Sequence, residues 1–322
     1  MVDFLVLGSL VDPHVGRVID RLTQWSVSCE VMDHENSMRS SFHVQEDGQY
    51  HLVVNGRKVP ASALVWDRVK LMMASRQPDE EDAVRRWRMS EWNINYRAVA
   101  EIWSDNVLNP PFAKGRMSKP TQQIVAASVG FKAPETLVSN NRTDILEFVE
   151  RNPSIIKSLG TATLPAGGSR KSQIVMTMPL KPERMAQTDD AHFIGCPHLI
   201  QKNIEKSHEL RIVIVDRKIF AFKIDSQALA SSKTDWREEI YRLQYEPCTL
   251  DSSLEDKLLS LMEGLGVFSG SIDLIVDPQG QHWFLECNQD GQWAWLDDIL
   301  EGAIADAFAR GFLDRIRARR AH

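Results

Sequence analysis

The stretch GSIDLIVDPQGQHWFLECNQDG, residues 270–291, decides the fold. It holds two apolar segments, residues 271–276 and 282–287, separated by Asp-Pro-Gln-Gly, and this order predicts a β-hairpin. Side chains alternate between the two faces of a strand, so Asp273 on the first strand can converge with Glu286 and Asn288 on the second. Three oxygen donors of this kind suit Mg²⁺, which combines one or two carboxylates with substrate phosphates.

A hairpin whose acidic residues merely face water would show the same short pattern, because short motifs also occur by chance. The surroundings favour the metal site. Asp273 and Glu286 each lie within an apolar run, where an unpaired carboxylate is costly. A bound cation would remove that cost.

Length and composition describe a globular protein of two or three domains. The 322 residues are 43% hydrophobic and 25% charged, which allows a substantial core. A net charge of −6 provides no general basic field, so a nucleic-acid partner is not expected. The start lacks a signal peptide, and no apolar run approaches the ~20 residues needed to cross a membrane. Four scattered cysteines without C-x-x-C spacing argue against structural zinc or disulfides and favour the reducing cytoplasm.

The first third of the chain has an α/β pattern. A strand at residues 4–7 precedes a helix at 15–25, without the G-x-G-x-x-G of a dinucleotide site. A long helix at 82–104 carries an apolar stripe that we interpret as core, with a dimer interface as the alternative. Asn109-Pro110-Pro111 ends this part and marks the boundary of a domain at 1–112.

The remaining two thirds alternate between helices and strands. Lys119 opens a helix, and Lys157 lies on a strand at 154–158. Residues 160–172 form a loop of small, hydroxylated and basic residues, which is either a plain mobile loop or one that covers phosphates. The pattern then predicts strands at 198–204, 210–215 and 219–224, a helix at 254–265, the hairpin, and a closing helix at 296–317.

Taken in chain order, these features resemble the ATP-grasp superfamily, in which two α+β subdomains clamp a nucleotide. The resemblance runs from about residue 119 to residue 293 and implies an α+β and α/β fold with a preceding α/β domain. The domains would be 1–112 (pre-ATP-grasp), 113–197 (central subdomain) and 198–322 (C-terminal subdomain). The residues that carry the resemblance are Lys119, Lys157, Gln201 to Ile204, Glu209, Arg211, Asp273, Glu286 and Asn288.

The resemblance implies a role for each of these residues. Lys119 and Lys157 would contact the ATP phosphates as point charges. Gln201, Lys202 and Ile204 would belong to a hinge that hydrogen-bonds adenine through the backbone. Glu209 would meet the ribose, and Arg211 would lie along the γ-phosphate and the acyl phosphate that forms. Asp273, Glu286 and Asn288 would hold Mg²⁺.

Four runs are similar to the maturases of microviridins and other graspetides, in which side-chain carboxylates are joined to hydroxyls or amines: HELRIVIVD, FAFKIDSQ, TDWR and FLECNQDGQWAWLDD. By this resemblance Asp235 and Arg237 form a D-x-R motif that faces the acidic residue of the core peptide, as a bidentate Arg can. An exposed surface salt bridge is the alternative. A leader peptide would dock at about 172–196, with Asp189 and Asp190 as partners for its basic residues.

The sequence departs from the family pattern at two positions. Gln289 replaces the usual proline of E-x-N-P, and Lys202 stands where an acidic hinge residue is common. Neither change removes a ligand. The turn after Asn288 is expected to be less rigid, whereas a backbone contact to adenine tolerates any side chain at the hinge.

The function that follows is an ATP- and Mg²⁺-dependent peptide macrocyclase, expected as a cytoplasmic homodimer. It would phosphorylate Asp or Glu side chains of a ribosomal precursor peptide and join them to Thr or Ser hydroxyls or to Lys amines, with loop 160–172 as a lid against water. The first alternative is an ATP-grasp ligase that adds a free amino acid, as glutamate ligases and glutathione synthetase do. The second is a non-catalytic binding module that keeps the fold.

Overall fold

The computed structural model of the chain describes residues 1–35, 38–70, 79–115, 117–160, 163–164 and 173–320. The predicted lid at 160–172 lies outside this set, apart from Gly160 and the short strand at 163–164. None of the helices built from the described residues has the length and hydrophobicity to cross a membrane.

The elements alternate along the whole chain. The strands are β1 (Phe4–Gly8), β2 (Cys29–Asp33), β3 (Ser40–Val44), β4 (Tyr50–Val54), β5 (Arg57–Val59), β6 (Leu64–Asp67), β7 (Val107–Leu108), β8 (Thr136–Ser139), β9 (Ser154–Lys157), β10 (Thr163–Leu164), β11 (Gln173–Ile174), β12 (Met178–Leu180), β13 (His198–Lys202), β14 (His208–Val215), β15 (Lys218–Ile224), β16 (Tyr245–Cys248), β17 (Ser269–Val276) and β18 (His282–Asn288). The helices are α1 (Pro13–Gln24), α2 (Asp82–Ile102), α3 (Pro111–Gly115), α4 (Lys119–Ser128), α5 (Arg142–Arg151), α6 (Pro182–Ala186), α7 (Ala191–Ile194), α8 (Ser252–Leu265), α9 (Ala294–Ile299) and α10 (Ala303–Arg320).

The first hundred residues build the predicted α/β unit. Strands β2, β1, β6 and β7 pair in parallel, and α1 connects β1 to β2. Asp12 caps α1 by accepting a hydrogen bond from the His14 backbone N–H at 3.0 Å, as an N-cap carboxylate does. A three-stranded antiparallel sheet, β3-β4-β5, lies beside this unit.

A second antiparallel sheet has the order β12-β9-β13-β8. Strand β13 pairs with β8 and β9, so a boundary between residues 197 and 198 separates this strand from its own sheet. The sequence could not show this, because β13 is followed at once by the strands of the next sheet. We propose that the central subdomain instead ends after Lys202.

The third sheet is five-stranded and antiparallel, in the order β16-β15-β14-β17-β18. It contains the predicted hairpin as β17 and β18, in which Asp273 lies opposite Glu286 and Ser271 lies opposite Asn288. The register shifts by one residue beyond Asp273, so a β-bulge places Phe284 and Cys287 in the same core although they are three residues apart. The bulge turns Glu286 away from the core and toward Asp273.

Two parts of the sequence interpretation are wrong in detail. Of the apolar stripe interpreted as core, Val99 on α2 and Trp103 just after it are buried, but Trp87 is 65% exposed and Ile94 is 57% exposed. Residues 181–197 contain the short helices α6 and α7, which the sequence pattern did not predict.

The largest hydrophobic core joins the two ends of the chain. Side chains from β1, α1 and β6 pack with others from β14, β15 and α10. Trp66 of β6, for example, contacts Phe308 and Phe312 of α10, with ring centroids 5.6 and 5.3 Å apart. A much smaller core, around Ile145 and Phe148 of α5, holds the β12-β9-β13-β8 sheet.

Candidate active site

A row of charged residues crosses the five-stranded sheet. Arg211 on β14 lies opposite Asp273 on β17, which lies opposite Glu286 on β18. Arg211 Nη1 donates to both Asp273 carboxylate oxygens, at 2.9 and 2.8 Å, and Arg211 Nη2 donates to the Gln292 carbonyl at 3.1 Å. Neighbouring strands therefore bring together three of the predicted site residues.

The two carboxylates of this row differ in electrostatic environment. Burial raises the pKa of Asp273 above its ordinary value, and the charge of Glu286 acts in the same direction, although the Arg211 ion pair opposes both. Burial acts on Glu286 in the same way, but there the charges of Lys119, Lys157 and Arg237 prevail and lower its pKa. Glu286 therefore remains an anion among cations.

The oxygen donors predicted for the metal lie next to one another. Asn288 Nδ2 donates to Glu286 Oε1 at 3.1 Å, and Asp273 lies directly across from Glu286. No cluster of three His, Cys, Asp or Glu side chains occurs among the residues that the structure describes. Two carboxylates and one amide suit Mg²⁺ that completes its shell with substrate phosphates and water, so the donor set fits this ion.

Both predicted lysines reach the site from the central part of the chain. Lys119 Nζ lies 3.5 Å from Glu286 Oε2 and donates to the Ser158 carbonyl at 3.1 Å. Lys157 Nζ donates to Gln201 Oε1 at 3.0 Å, and burial lowers the pKa of this ammonium group. A buried ammonium group with a neutral partner is stabilised by the arrival of an anion such as a phosphate.

Lys206 is a cation of the site that the sequence interpretation missed. Its Nζ donates to Glu209 Oε1 at 2.8 Å and to the Thr234 carbonyl at 3.0 Å. Glu209 is buried. Its carboxylate, which was expected to contact the ribose, is therefore already held in the ion pair with Lys206. The spacing K-x-x-E is too common to have identified the pair.

The predicted hinge follows β13. The backbone N–H of Lys202 donates to the Glu135 carbonyl at 2.9 Å, and that of Asn203 donates to the Pro153 carbonyl at 2.7 Å. The Ile204 N–H has no hydrogen bond within the described part of the chain, so it is the hinge donor best placed for a base. The side chains of Ile155, Ile275 and Leu285 supply apolar walls to the same cavity.

The D-x-R motif is more than a surface salt bridge. Asp235 is buried, and it accepts bonds from Arg237 Nε at 2.8 Å, from Arg237 Nη2 at 2.6 Å and from the Thr177 N–H at 3.3 Å. Burial alone would raise the pKa of Asp235, but the Arg237 ion pair lowers it. Asp235 thus fixes the Arg237 guanidinium at the cavity wall.

Two cavities meet at this row of charges. The first has a volume of about 200 Å³ and is lined by the two lysines, the hinge, Lys206 and Glu209. The second, of about 380 Å³, is lined by Arg211, Trp295 and the loop 289–292. The residues that line both cavities are Trp236, Arg237, Asp273, Glu286 and Asn288.

The residues expected to contact a leader peptide lie outside both cavities. Asp189 and Asp190 are exposed, and Asp190 lies 3.6 Å from Arg142.

The fold is shared with several solved structures. The RiPP-associated ATP-grasp ligase of Chryseobacterium gregarium, in complex with ADP and a leader and core peptide, is 25% identical at a TM-score of 0.83, with 98% of this chain and 97% of that chain covered. Macrocyclase MdnC from Microcystis aeruginosa MRC, bound with precursor peptide MdnA, is 24% identical at a TM-score of 0.80, with 97% and 99% covered. ATP-grasp ligase PsnB, complexed with a phosphomimetic minimal precursor, Mg and ADP, is 19% identical at a TM-score of 0.71, with 97% and 99% covered.

No protein-family model matches the sequence, and no curated protein matches it. The likeness is therefore carried by the structure, over nearly the full length of each chain. The predicted ATP-grasp fold is confirmed. The chain therefore has the ATP-grasp fold and resembles the RiPP-associated ATP-grasp ligases and macrocyclases.

Proposed function

We propose that the protein is an ADP-forming peptide macrocyclase that joins Asp or Glu side chains of a ribosomal precursor peptide to Thr or Ser hydroxyls or to Lys amines. The observation that carries this proposal is the shared wall of the two cavities. ATP in the first cavity and a peptide carboxylate in the second would meet at Arg237, Asp273, Glu286 and Asn288, with Arg211 beside them in the second cavity. The similar ligases were solved with ADP and precursor peptides, which supports the same pair of ligands here.

The residues of the chain divide the work of activation. Mg²⁺ held by Asp273, Glu286 and Asn288 would neutralise charge on the phosphate oxygens. Lys119 and Lys157 orient the triphosphate, and the Ile204 N–H receives the base. Arg237, oriented by Asp235, binds the peptide carboxylate that accepts the γ-phosphoryl group. Arg211 balances the charge that develops on the transferred group.

Ring closure then takes place in the second cavity. The nucleophile attacks the acyl carbon, the bond from this carbon to the phosphate oxygen breaks, and phosphate leaves with the proton of the nucleophile. Because both reacting groups belong to one peptide, the step gains from proximity. We also propose that a leader peptide docks at 172–196 and that the protein is a cytoplasmic homodimer.

The test replaces Glu286 with Gln, which keeps the shape of the side chain but removes the charge. The expected result is loss of Mg²⁺-dependent ATP binding in calorimetry and of peptide dehydration in mass spectrometry, where each bond removes one water. The substrate is a synthetic precursor peptide with a leader segment and a core rich in Thr and in Asp or Glu. The control is Glu263→Gln on α8, where the side chain is exposed.

Two outcomes would refute the proposal. Unchanged activity of the Glu286→Gln protein would refute the metal assignment. Strong phosphate release by the wild-type protein with ATP and single amino acids, without any peptide, would favour the ligase that adds a free amino acid.

A further inference from the structure

The side chain of Gln122 on α4 uses both of its N–H donors and its oxygen. Its Nε2 donates to the Cys287 carbonyl at 3.1 Å and to the Met117 carbonyl at 2.7 Å, and its Oε1 accepts from the Cys287 N–H at 2.6 Å. Gln122 is only 3% exposed. Because one end of an amide only donates and the other only accepts, the reversed orientation would lose all of these bonds.

These bonds close the edge of the five-stranded sheet beside the predicted metal ligands. Strand β18 is an outer strand of that sheet, and alternate residues of an outer strand turn their N–H and C=O groups away from the sheet. At Cys287 the Gln122 amide pairs with both groups, as a further strand would. Cys287 stands between Glu286 and Asn288, the two predicted metal ligands of β18.

The side chain of Cys287 is held as well. It is 1% exposed in the core that α8, β14 and β17 form, and a Cβ added to Gly270 would lie only 2.7 Å from Cys287 Sγ. The core thus fixes the side chain, and Gln122 fixes the backbone. Side chains alternate along a strand, so Glu286 and Asn288 project to the other face, where Asn288 Nδ2 donates to Glu286 Oε1 at 3.1 Å.

Helix α4 also contacts the side chain of Glu286. Lys119 precedes Gln122 by three residues and therefore lies on the same side of the helix, and its Nζ is 3.5 Å from Glu286 Oε2. Helix α4 thus contacts two consecutive residues of β18, one through a charge and the other through a bonded amide.

We infer that Gln122 is a positioning residue for the cation site and gives that site its preference for Mg²⁺ over Ca²⁺. The inference rests on the proposed function only for the role of Asp273, Glu286 and Asn288 as ligands. Mg²⁺ requires near-octahedral oxygen ligands at about 2.0–2.1 Å, whereas Ca²⁺ accepts longer and more variable distances. A backbone clamped at Cys287 keeps the ligand spacing constant, which favours the ion with the stricter geometry.

The experiment measures ADP binding to the full chain by calorimetry in excess Mg²⁺, in excess Ca²⁺ and in EDTA, without any peptide. Gln122→Met keeps a side chain of similar length and loses the amide. We expect the affinity for ADP in Mg²⁺ to fall about tenfold, the effect of roughly one lost hydrogen bond. The affinity in Ca²⁺ should fall by less than about threefold because that ion tolerates variable distances, and the affinity in EDTA should stay unchanged.

A second readout needs no cation. In the metal-free protein, the Cys287 amide should exchange with deuterium faster in Gln122→Met than in the wild type, because its acceptor is lost. Gln122→Ala is the second variant, since it admits water to the backbone groups that Gln122→Met leaves unpaired. It should show the same fall in Mg²⁺ preference and gives the measurement if Gln122→Met does not fold.

The neighbouring glutamine provides the matched control. Gln123 Nε2 donates to Thr136 Oγ1 at 2.9 Å and to the Pro134 carbonyl at 3.4 Å, and within the described part of the chain it has no hydrogen bond to β18. Gln123→Met should therefore keep the ratio of the Mg²⁺ and Ca²⁺ affinities and the exchange rate at Cys287.

The outcomes separate this inference from the proposed function. Equal losses of affinity in Mg²⁺ and Ca²⁺, or wild-type preference in both Gln122 variants, overturn the inference. ADP binding that does not depend on Mg²⁺ in the wild type overturns the metal assignment and the inference with it. A wild-type protein that binds ADP with Mg²⁺ but closes no rings refutes the macrocyclase, whereas the inference is still decided by the ADP measurements.

Discussion

At the scale of single residues, His14 connects the first hundred residues to the active-site loop. Its Nε2 accepts hydrogen bonds from the backbone N–H groups of Trp293 and Ala294, at 2.9 and 3.0 Å, and its Nδ1 bonds Asp12. His14 is 1% exposed. Only the neutral ring has a free acceptor nitrogen, so this contact exists only while His14 is unprotonated.

The stability of the protein should therefore fall as acid protonates His14. Burial lowers the pKa of His14 from 6.5 to about 4, and the charges of Arg68 and Lys70 act in the same direction. Between these two pH values the unfolded chain binds more protons than the folded one, so the free energy of unfolding decreases as the pH drops through this window. Over the whole window the free energy of unfolding should decrease by about 3 kcal/mol. Urea unfolding from pH 7 down to pH 4 measures it.

The matched variant is His14→Gln, which does not titrate and offers an amide oxygen as acceptor. Its free energy of unfolding should depend less on pH across that window than the wild-type value does. His43→Gln, at an exposed position of β3, should follow the wild type. Parallel curves for His14→Gln and the wild type would show that His14 does not titrate in this way.

The site residues that lie close together in the sequence were predictable from local patterns. Asp273, Glu286 and Asn288 stand close in sequence on one hairpin, so their proximity was predictable, although it is the β-bulge that places Glu286 opposite Asp273. Lys206 was missed because its partner Thr234 lies far along the chain.

At the scale of elements, the β17–β18 hairpin depends on a close approach after β18. A Cβ added to Gly291 would lie 2.5 Å from Ser271 Cβ and closer still to Ser271 Oγ. Two non-bonded carbon atoms cannot lie this close together. The loop that follows the predicted metal ligands can therefore approach β17 this closely only with glycine at position 291.

Gly291→Ala is therefore expected to destabilise the protein by about 1–3 kcal/mol through overpacking and to lower ATP-dependent activity by displacing the loop. The second variant, Ser271→Gly with Gly291→Ala, removes the clashing atoms and should restore part of both losses. Urea unfolding and ADP formation measure the two effects. Gly16→Ala in α1, where the added methyl meets nothing within 4 Å, is the control. If the double variant were no better than the single one, the contact would not be the cause.

Helix α2 carries exposed apolar side chains, and we place the interface of the proposed homodimer there. Trp87 and Ile94 are 65% and 57% exposed, and Val84 and Ile102 are exposed as well. Their spacing places them along one side of the helix. Exposed apolar side chains that share one side of a helix are frequent at protein interfaces.

Trp87→Glu together with Ile94→Glu should convert the proposed homodimer to a monomer, because two charges cannot be buried at an apolar interface without cost. Sedimentation velocity measures the change in mass. Val44→Glu, an exposed apolar position on β3, serves as the control. A wild-type protein that sediments as a monomer would exclude the dimer.

Most elements were predictable because hydrophobic periodicity sets them. The hairpin, α4, α8 and β14 were found within a few residues of their observed bounds. Strands β3 and β16 were missed because they are short, largely polar, outer strands, and β16 contains Pro247. The β-bulge between Phe284 and Glu286 was missed because a one-residue register shift leaves no mark in the sequence.

At the scale of the whole molecule, the two ends of the chain form one unit. The largest core joins β1 and β6 to β14 and α10. Asn109 adds a buried polar link: its Oδ1 accepts from the N–H groups of Phe268 and Ser269, at 2.7 and 3.0 Å, and its Nδ2 donates to the Ser269 carbonyl at 2.9 Å. The sequence placed a boundary at this position but could not show that the segments on either side share a core.

The β12-β9-β13-β8 sheet has few such connections, and its own core around Ile145, Phe148 and Ile200 is small. Regions with little buried apolar contact open with a lower free energy. In the nucleotide-free protein, backbone amides of α5 and β9 should therefore exchange with deuterium faster than those of β1, β14 and β17. Hydrogen exchange followed by mass spectrometry compares these segments directly.

Addition of ATP and Mg²⁺ should then slow exchange in β9 and β13 more than in β1. Lys157 and Gln201 lie on these two strands, and Glu286 lies on the facing sheet, so a nucleotide bound between them connects the weaker unit to the stronger one. In the Glu286→Gln protein the same addition should give little protection, since part of the cation site is lost. Equal protection of β1 and β9, or full protection in the variant, would mean that the nucleotide does not bind between the two sheets.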